Sequence, residues 1–206
     1  MDISIELLKD LRQRTGAGVV DCKAALQEAK GNIEAAIDYL RRKGLATAAK
    51  KAGRIATDGL VASYIHAGGK MGVLVEINCE TDFVAKTEDF QTFVKNIAMH
   101  VAAANPQYIR REDVPPQILE REKEIYRTQA LDSKKPAKVI DKIVEGKIER
   151  FYGEVCLLDQ TYIRDSDMTV KEVLEQMIAR VGENITIRRF ARFQLGEGLS
   201  SRSVSA

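Results

Sequence analysis

The densest set of reactive side chains lies in INCETDFVAKTEDF, residues 77–90. Glu80, Asp82, Glu88 and Asp89 place four carboxylates in ten residues. Paired carboxylates hold divalent cations or work as acid and base, but this spacing matches no cation-binding loop. Apolar alternation runs into Cys79 and a helical pattern follows, so Thr81 or Asp82 is placed to cap the helix. Phe83 then has two readings: a core side chain beneath that helix, or an aromatic pushed into something else. A second candidate is TGAG, residues 15–18. Gly16 and Gly18 before a helical run could bring backbone N–H groups to a phosphate. A helix rather than a strand precedes them, which favours a helix-breaking turn or contact loop. Only two histidines exist, His66 at a hairpin end and His100 on a helix flank, and neither has an evident nucleophile to serve. No G-x-x-x-x-G-K-[ST] run occurs, and no G-x-G-x-x-G opens a βαβ unit. Cys22, Cys79 and Cys156 are too scattered for a metal site, and their odd number suits a reducing compartment. A thiol nucleophile at Cys22 or Cys79 would need a base, and none is evident. The chemistry-bearing residues therefore predict no enzyme, no metal and no cofactor, and point to a protein-interaction module.

The elements that position these residues can be read from periodicity. Leu7, Leu8 and Leu11 stripe a helix over 5–14. Cys22, Leu26 and Ala29 line a second, ended by Gly31. Asn32 caps a third, with Ile33, Ile37 and Leu40 on one face. LATAAKKA, 45–52, reads as a short linker helix. GLVASYIH and MGVLVEINC alternate on either side of an AGGK turn, predicting an antiparallel hairpin over 59–80. Val73, Val75, Ile77 and Cys79 share its buried face. Phe90, Val94, Ile97 and Val101 mark a helix over 88–104. Helices follow over 116–131 and from Pro136, the latter carrying Val139, Ile140, Ile143, Val144 and Ile148; together they read as a helical hairpin. Residues 154–164 are ambiguous, with a short extended piece as the reading. Thr169 and Glu172 have capping-box spacing before Val173 and Leu174. NITIRRFARFQL, 184–195, alternates as a third strand. The class is α+β, a small three-helix head followed by a core with a three-stranded antiparallel sheet and packed helices. The divisions are 1–54 (head and linker helix), 55–198 (core) and 199–206 (a flexible Ser-rich tail). Short sheet edges call for a homodimer that pairs or covers them.

Composition narrows the classes. The chain has 206 residues, 30% charged and 45% hydrophobic, with a formal net charge of +2. That suits a folded protein and argues against a polybasic nucleic-acid binder. Residues 1–54 carry 11 Lys and Arg against 7 Asp and Glu, so the head is mildly basic and suited to an acidic partner. No run approaches a membrane span, and the amino terminus has no signal-peptide pattern; a cytoplasmic protein is expected. A nucleic-acid or ribosome-binding role for the basic head is the alternative, and it predicts strongly salt-dependent affinity.

The same segments resemble bacterial elongation factor Ts. The resemblance is carried by LRQRTGAGVVDCKAAL (11–26) with YLRRKGLATAAKKAGR after it, and by NCETDFVAKTEDF (78–90). It continues through IAMHVAAANPQYI (97–109), VIDKIVEGKIERFYGEVCLLDQTYI (139–163) and RFQLGEG (192–198). It covers nearly the whole chain, in order. It implies a ubiquitin-associated-like head, and a guanine-nucleotide exchange factor that acts on elongation factor Tu. Asp82 and Phe83 would insert near the partner's magnesium site, with Glu80, Thr81 and Val84 holding them. Arg12, Val19, Val20, Cys22 and Lys23 around TGAG would contact the partner; Val20 and Cys22 also read as core of the small head, with the balance for Cys22 on the core side and for Val19 on the contact side. One TDFV region is present, which implies a short form that dimerises. RFQLGEG is assigned to the partner or to the dimer mate without a choice between them.

Overall fold

The computed structural model describes residues 3–131 and 136–198; the expected tail, 199–206, lies outside them. The described residues form two compact units. One combines the chain up to Gly59 with Asn78–Gln91 and Lys171–Thr186; the other combines Leu60–Ile77, Thr92–Val170 and the chain from Ile187 onward.

The head is three helices, α1 (Ile5–Thr15), α2 (Val19–Glu28) and α3 (Ile33–Lys51). The Ser4 hydroxyl caps α1 by accepting the Leu7 N–H at 3.2 Å, and Asn32 Oδ1 caps α3 by accepting the Ala35 N–H at 3.0 Å. Gly16 ends α1 with φ of 65°, its N–H reaching the Arg12 carbonyl at 2.8 Å. That left-handed stop costs a glycine least. Leu11, Cys22, Ala25, Leu26 and Ala36 form the buried core of the bundle. The expected linker helix over 45–52 is not separate: α3 continues through Gly44 to Lys51. The reason is packing within this unit. Gly44 is buried, and a Cβ there would lie 3.5 Å from the Ala179 Cβ, so a glycine inside a helix is tolerated because it admits a neighbour closely.

In the sheet, β1 (Asp58–Ile65) and β2 (Met71–Cys79) form the expected hairpin, and β5 (Thr186–Gln194) lies against β2. The Gly69 N–H closes the turn on the His66 carbonyl at 2.9 Å, with Gly68 at φ 91°. The Leu195 N–H donates to the Lys70 carbonyl at 2.8 Å, so the end of β5 meets the start of β2 and the pair is antiparallel. Val73, Val75, Ile77 and Cys79 are buried as the alternation requires.

α4 (Asp82–Ala85) is a single turn, and α5 (Glu88–Ala104) buries Phe90, Val94, Ile97 and Val101. α6 (Pro116–Leu131) and α7 (Ala137–Val155) pack as the helical hairpin around Ala130, Ile140, Val144 and Ile148. Val139, expected on that stripe, is exposed. The ambiguous 154–164 stretch resolves into the end of α7, a 3-10 turn at Leu157–Asp159 and β3 (Thr161–Tyr162). β3 pairs antiparallel with β4 (Asp165–Thr169), a small hairpin that alternation did not reveal. α8 (Val170–Val181) starts directly after Thr169.

Candidate functional site

β2 delivers the carboxylate-rich stretch. Its buried face ends at Cys79, and the chain turns at Glu80 and Thr81 into α4. Thr81 is the cap: its backbone is extended and its hydroxyl accepts the Val84 N–H at 3.4 Å. Asp82 is instead the first residue of the helix. There its carboxylate pairs with Lys86 Nζ at 2.5 Å. The lysine, first, holds the Asp82 carboxyl below the usual carboxylate range. Phe83 is 79% exposed, which removes the core reading for it. Val84 is half-buried and Ala85 buried, so α4 is anchored on one side and presents Asp82 and Phe83 on the other.

The turn beneath α4 is bound by residues about a hundred positions away. Glu183 Oε2 accepts the N–H groups of Glu80 at 3.1 Å and Thr81 at 3.0 Å, and Oε1 accepts the Thr81 hydroxyl at 2.7 Å. The Asn184 N–H donates to Glu80 Oε1 at 2.7 Å, and its side-chain amide donates to the Arg54 carbonyl at 2.7 Å. Arg54 in turn pairs with Glu80 at 3.2 Å. The Asn184 N–H, ahead of Arg54, lowers the Glu80 pKa. Sequence reasoning found neither Glu183, Asn184 nor Arg54 as partners of this turn. Gly182 after an apolar stripe marks the end of a helix, but nothing local says what the next two residues will meet.

The head presents the second group. Arg12, Val19, Val20 and Lys23 are exposed around the α1–α2 turn, Val20 to 80%. Gly18 precedes α2 with an ordinary extended backbone, so only Gly16 of the pair is left-handed. A Cβ on Gly16 would lie 3.0 Å from Arg180 Cζ, and Arg180 pairs with Asp89 at 2.9 Å. Cys22 is buried in the head core. It belongs to the packing, not to the exposed set. Both exposed groups, at the α1–α2 turn and at α4, occur in the unit that contains the head.

The three cysteines and His100 face inward. Burial first, then the Glu183 charge, pushes the Cys79 thiol up to about 11, and burial pushes Cys156 to about 11. Burial also raises Cys22. His100 is buried: the Ile163 N–H donates to its Nδ1 at 3.3 Å, so the ring proton sits on Nε2 and is given to Gln160 Oε1 at 2.9 Å. Among the described residues no three His, Cys, Asp or Glu side chains are grouped to hold a metal ion, and no helix is long and apolar enough to cross a membrane. The arrangement is an exposed aromatic beside an acid on a braced turn.

Residues 46–197 match the model of the family described as Elongation factor TS. The chain belongs to the elongation factor Ts family. Elongation factor Ts of Caldanaerobacter subterraneus subsp. tengcongensis is 66% identical, over 96% of this chain and 98% of that protein. The counterpart in Carboxydothermus hydrogenoformans is 61% identical over 97% and 92%, and that in Geobacter sulfurreducens 59% over 98% and 94%. These relatives cover 96–98% of the chain, so the likeness includes the head, of which the family model takes in only the end of α3. Membership makes the chain a translation elongation factor.

Proposed function

We propose that the chain is the guanine-nucleotide exchange factor of elongation factor Tu, with Phe83 and Asp82 as the group that disturbs the nucleotide site. The observation that carries this is Phe83, 79% exposed on a one-turn helix whose base is fixed. An exposed phenylalanine is normally a liability. On a braced turn it is a ready-made anchor, because little conformational freedom remains to be lost on binding. Burying it fully in the partner supplies about 1.5–3 kcal/mol, enough for an interface hot spot. Asp82 supplies a charge beside it, and a cation site with strict octahedral geometry is weakened by small shifts of its ligands. The exchange needs no covalent step. Binding of the factor and binding of GDP oppose each other by one coupling factor, the same in both directions.

In this reading the head, residues 1–54, docks on the nucleotide domain through Arg12, Val19, Val20 and Lys23. Residues 55–198 form the core and the dimerisation surface. The homodimer is supported by the outward face of the sheet, where Ile65, Leu74, Phe193 and Leu195 are all exposed.

The test is release of a fluorescent GDP analogue from elongation factor Tu, followed by stopped flow with excess GDP. The wild-type chain should accelerate release by orders of magnitude. Phe83→Ala should lose about ten- to a hundredfold of that acceleration, and Asp82→Ala a smaller part. Acceleration untouched by both substitutions would move the mechanism to the head. No acceleration would sink the exchange reading.

A further inference from the structure

We propose that Glu183 is the positioning residue of the Phe83 probe: its carboxylate fixes the backbone from which Phe83 projects. The inference rests on the reading of Phe83 as the partner contact, and its physical basis is independent of it. A one-turn helix cannot hold its own geometry, since helix nucleation is unfavourable without tertiary support. α4 has four residues, so the direction of Phe83 is set by whatever holds Glu80 and Thr81. Three donors at that turn converge on Glu183: two N–H groups on one oxygen and the Thr81 hydroxyl on the other. Because the hydroxyl spends its proton on Glu183, its lone pairs are left to cap α4 through the Val84 N–H. The cap and the clamp are one hydrogen-bonded chain. Two further links close the turn: the Cys79 thiol donates to the Thr81 carbonyl at 3.1 Å, and the Ala85 N–H donates to it at 3.3 Å.

The fold brings Glu183 there deliberately. Gly182 ends α8 with φ of 75°, its N–H on the Ile178 carbonyl at 2.9 Å. Lys51, at the end of α3, donates to the Gly182 carbonyl. The left-handed residue reverses the chain within one position, and Glu183 and Asn184 then meet the turn side by side. A carboxylate suits three donors because it only accepts. Glutamine would put its NH2 group towards one of them. The Thr81 hydroxyl can answer by turning to accept, so glutamine keeps the shape and loses the charge assistance. Alanine leaves all three donors without this partner.

Glu183→Ala, Glu183→Gln and Phe83→Ala in the full-length chain test this by two readouts. The first is amide hydrogen exchange of the free protein. Glu183→Ala should speed exchange of the Glu80, Thr81 and Val84 amides about tenfold or more, with protection in α5 and in the head unchanged. Glu183→Gln should fall between it and wild type. The second is the stopped-flow release assay. Glu183→Ala should lower the maximal release rate about tenfold, with little change in the half-saturating concentration, because docking through the head is intact and the Phe83 contact is made only as the nucleotide site opens. The Glu183→Ala/Phe83→Ala double variant should be no slower than Phe83→Ala, as the clamp acts only through the probe. Unchanged exchange at residues 80–84 overturns the clamp, and additive losses in the double variant overturn its link to Phe83. Full activity of Phe83→Ala overturns instead the reading on which the inference rests. If Glu183→Ala loses protection throughout the chain, Glu183→Gln decides: faster exchange confined to 80–84 with a reduced maximal rate supports the proposal, and wild-type behaviour in both overturns it.

Discussion

Cys79 and Phe83 are four positions apart and face opposite fates. The Cys79 side chain closes the buried face of β2. Burial, reinforced by the Glu183 charge, pushes its pKa up to about 11. At pH 8 about one such thiol in a thousand is the reactive thiolate. Cys156 is pushed equally high, and Cys22 is buried and raised. Iodoacetamide at pH 8 should therefore leave native protein almost unlabelled over a time in which denatured protein takes up three equivalents, one per cysteine. Rapid labelling of one thiol in the native state, read by intact mass, would revive a nucleophilic role. Phe83 makes the complementary case. Its side chain is exposed, so Phe83→Ala should change thermal stability by no more than about 0.5 kcal/mol while its effect on nucleotide release is large. A stability loss of several kcal/mol in a denaturant melt would mean that Phe83 is structural after all.

At the scale of elements, His100 ties α5 to the β3–β4 hairpin that periodicity missed. Its Nδ1 accepts from Ile163, Nε2 donates to Gln160, and its ring stacks with Tyr162 at 5.9 Å between centroids. Burial, only partly offset by Gln160, lowers its pKa, and protonation would also abolish the Nδ1 acceptor. The unfolded chain takes up the proton near pH 6.5, the folded chain only lower. Stability from this site is thus complete above about pH 6.5 and declines as pH falls below it, by at most about 1.4 kcal/mol per pH unit. Urea melts at pH 7.0, 6.5, 6.0 and 5.5 should show the decline, and a His100→Gln variant should lack most of it. A flat wild-type profile would refute the assignment. The same site shows what the sequence made legible. Elements with a repeating apolar signal were readable in advance: the head helices, the β1–β2 hairpin, β5 and the Phe90–Val101 stripe of α5. The β3–β4 hairpin was not, because two residues of β3 and the polar run Asp165–Ser166–Asp167 carry no alternation. At the candidate site the sequence singled out Asp82, Phe83 and Thr81 but left open which residue capped and which was exposed. Capping depends on which residue is extended, and exposure on what covers the helix. Glu183 was invisible for a further reason, since its partners are 102 and 103 positions away.

At the scale of the whole molecule, the outward face of the sheet is apolar where it should be polar. One face of β2 is buried, and on the other face of an antiparallel sheet polar side chains are the usual choice. Here Ile65, Leu74, Phe193 and Leu195 line a shallow groove with Ser63 and Gly72. Gly72 is part of its construction: a Cβ there would lie 2.9 Å from Ile65 Cδ1, so glycine lets the isoleucine lie flat across the strand. A contiguous apolar surface of this kind marks an interaction site. A second copy is the simplest occupant, because a two-fold axis sets the same face against itself and sheets pack well face to face. The proposed dimerisation through this face would make stability depend on concentration, since only the folded chain would associate. The melting temperature of the wild-type chain should therefore rise with protein concentration. Phe193→Asp places a charge where two copies would meet, and a charge left unpaired in a buried interface is strongly unfavourable. It should give a monomer by light scattering and a melting temperature independent of concentration. At high dilution it should melt close to wild type, because Phe193 is 70% exposed in the single chain. A wild-type chain that is monomeric throughout the micromolar range, or a Phe193→Asp variant that remains dimeric, would assign the face to another partner and remove the sheet from the dimer proposal.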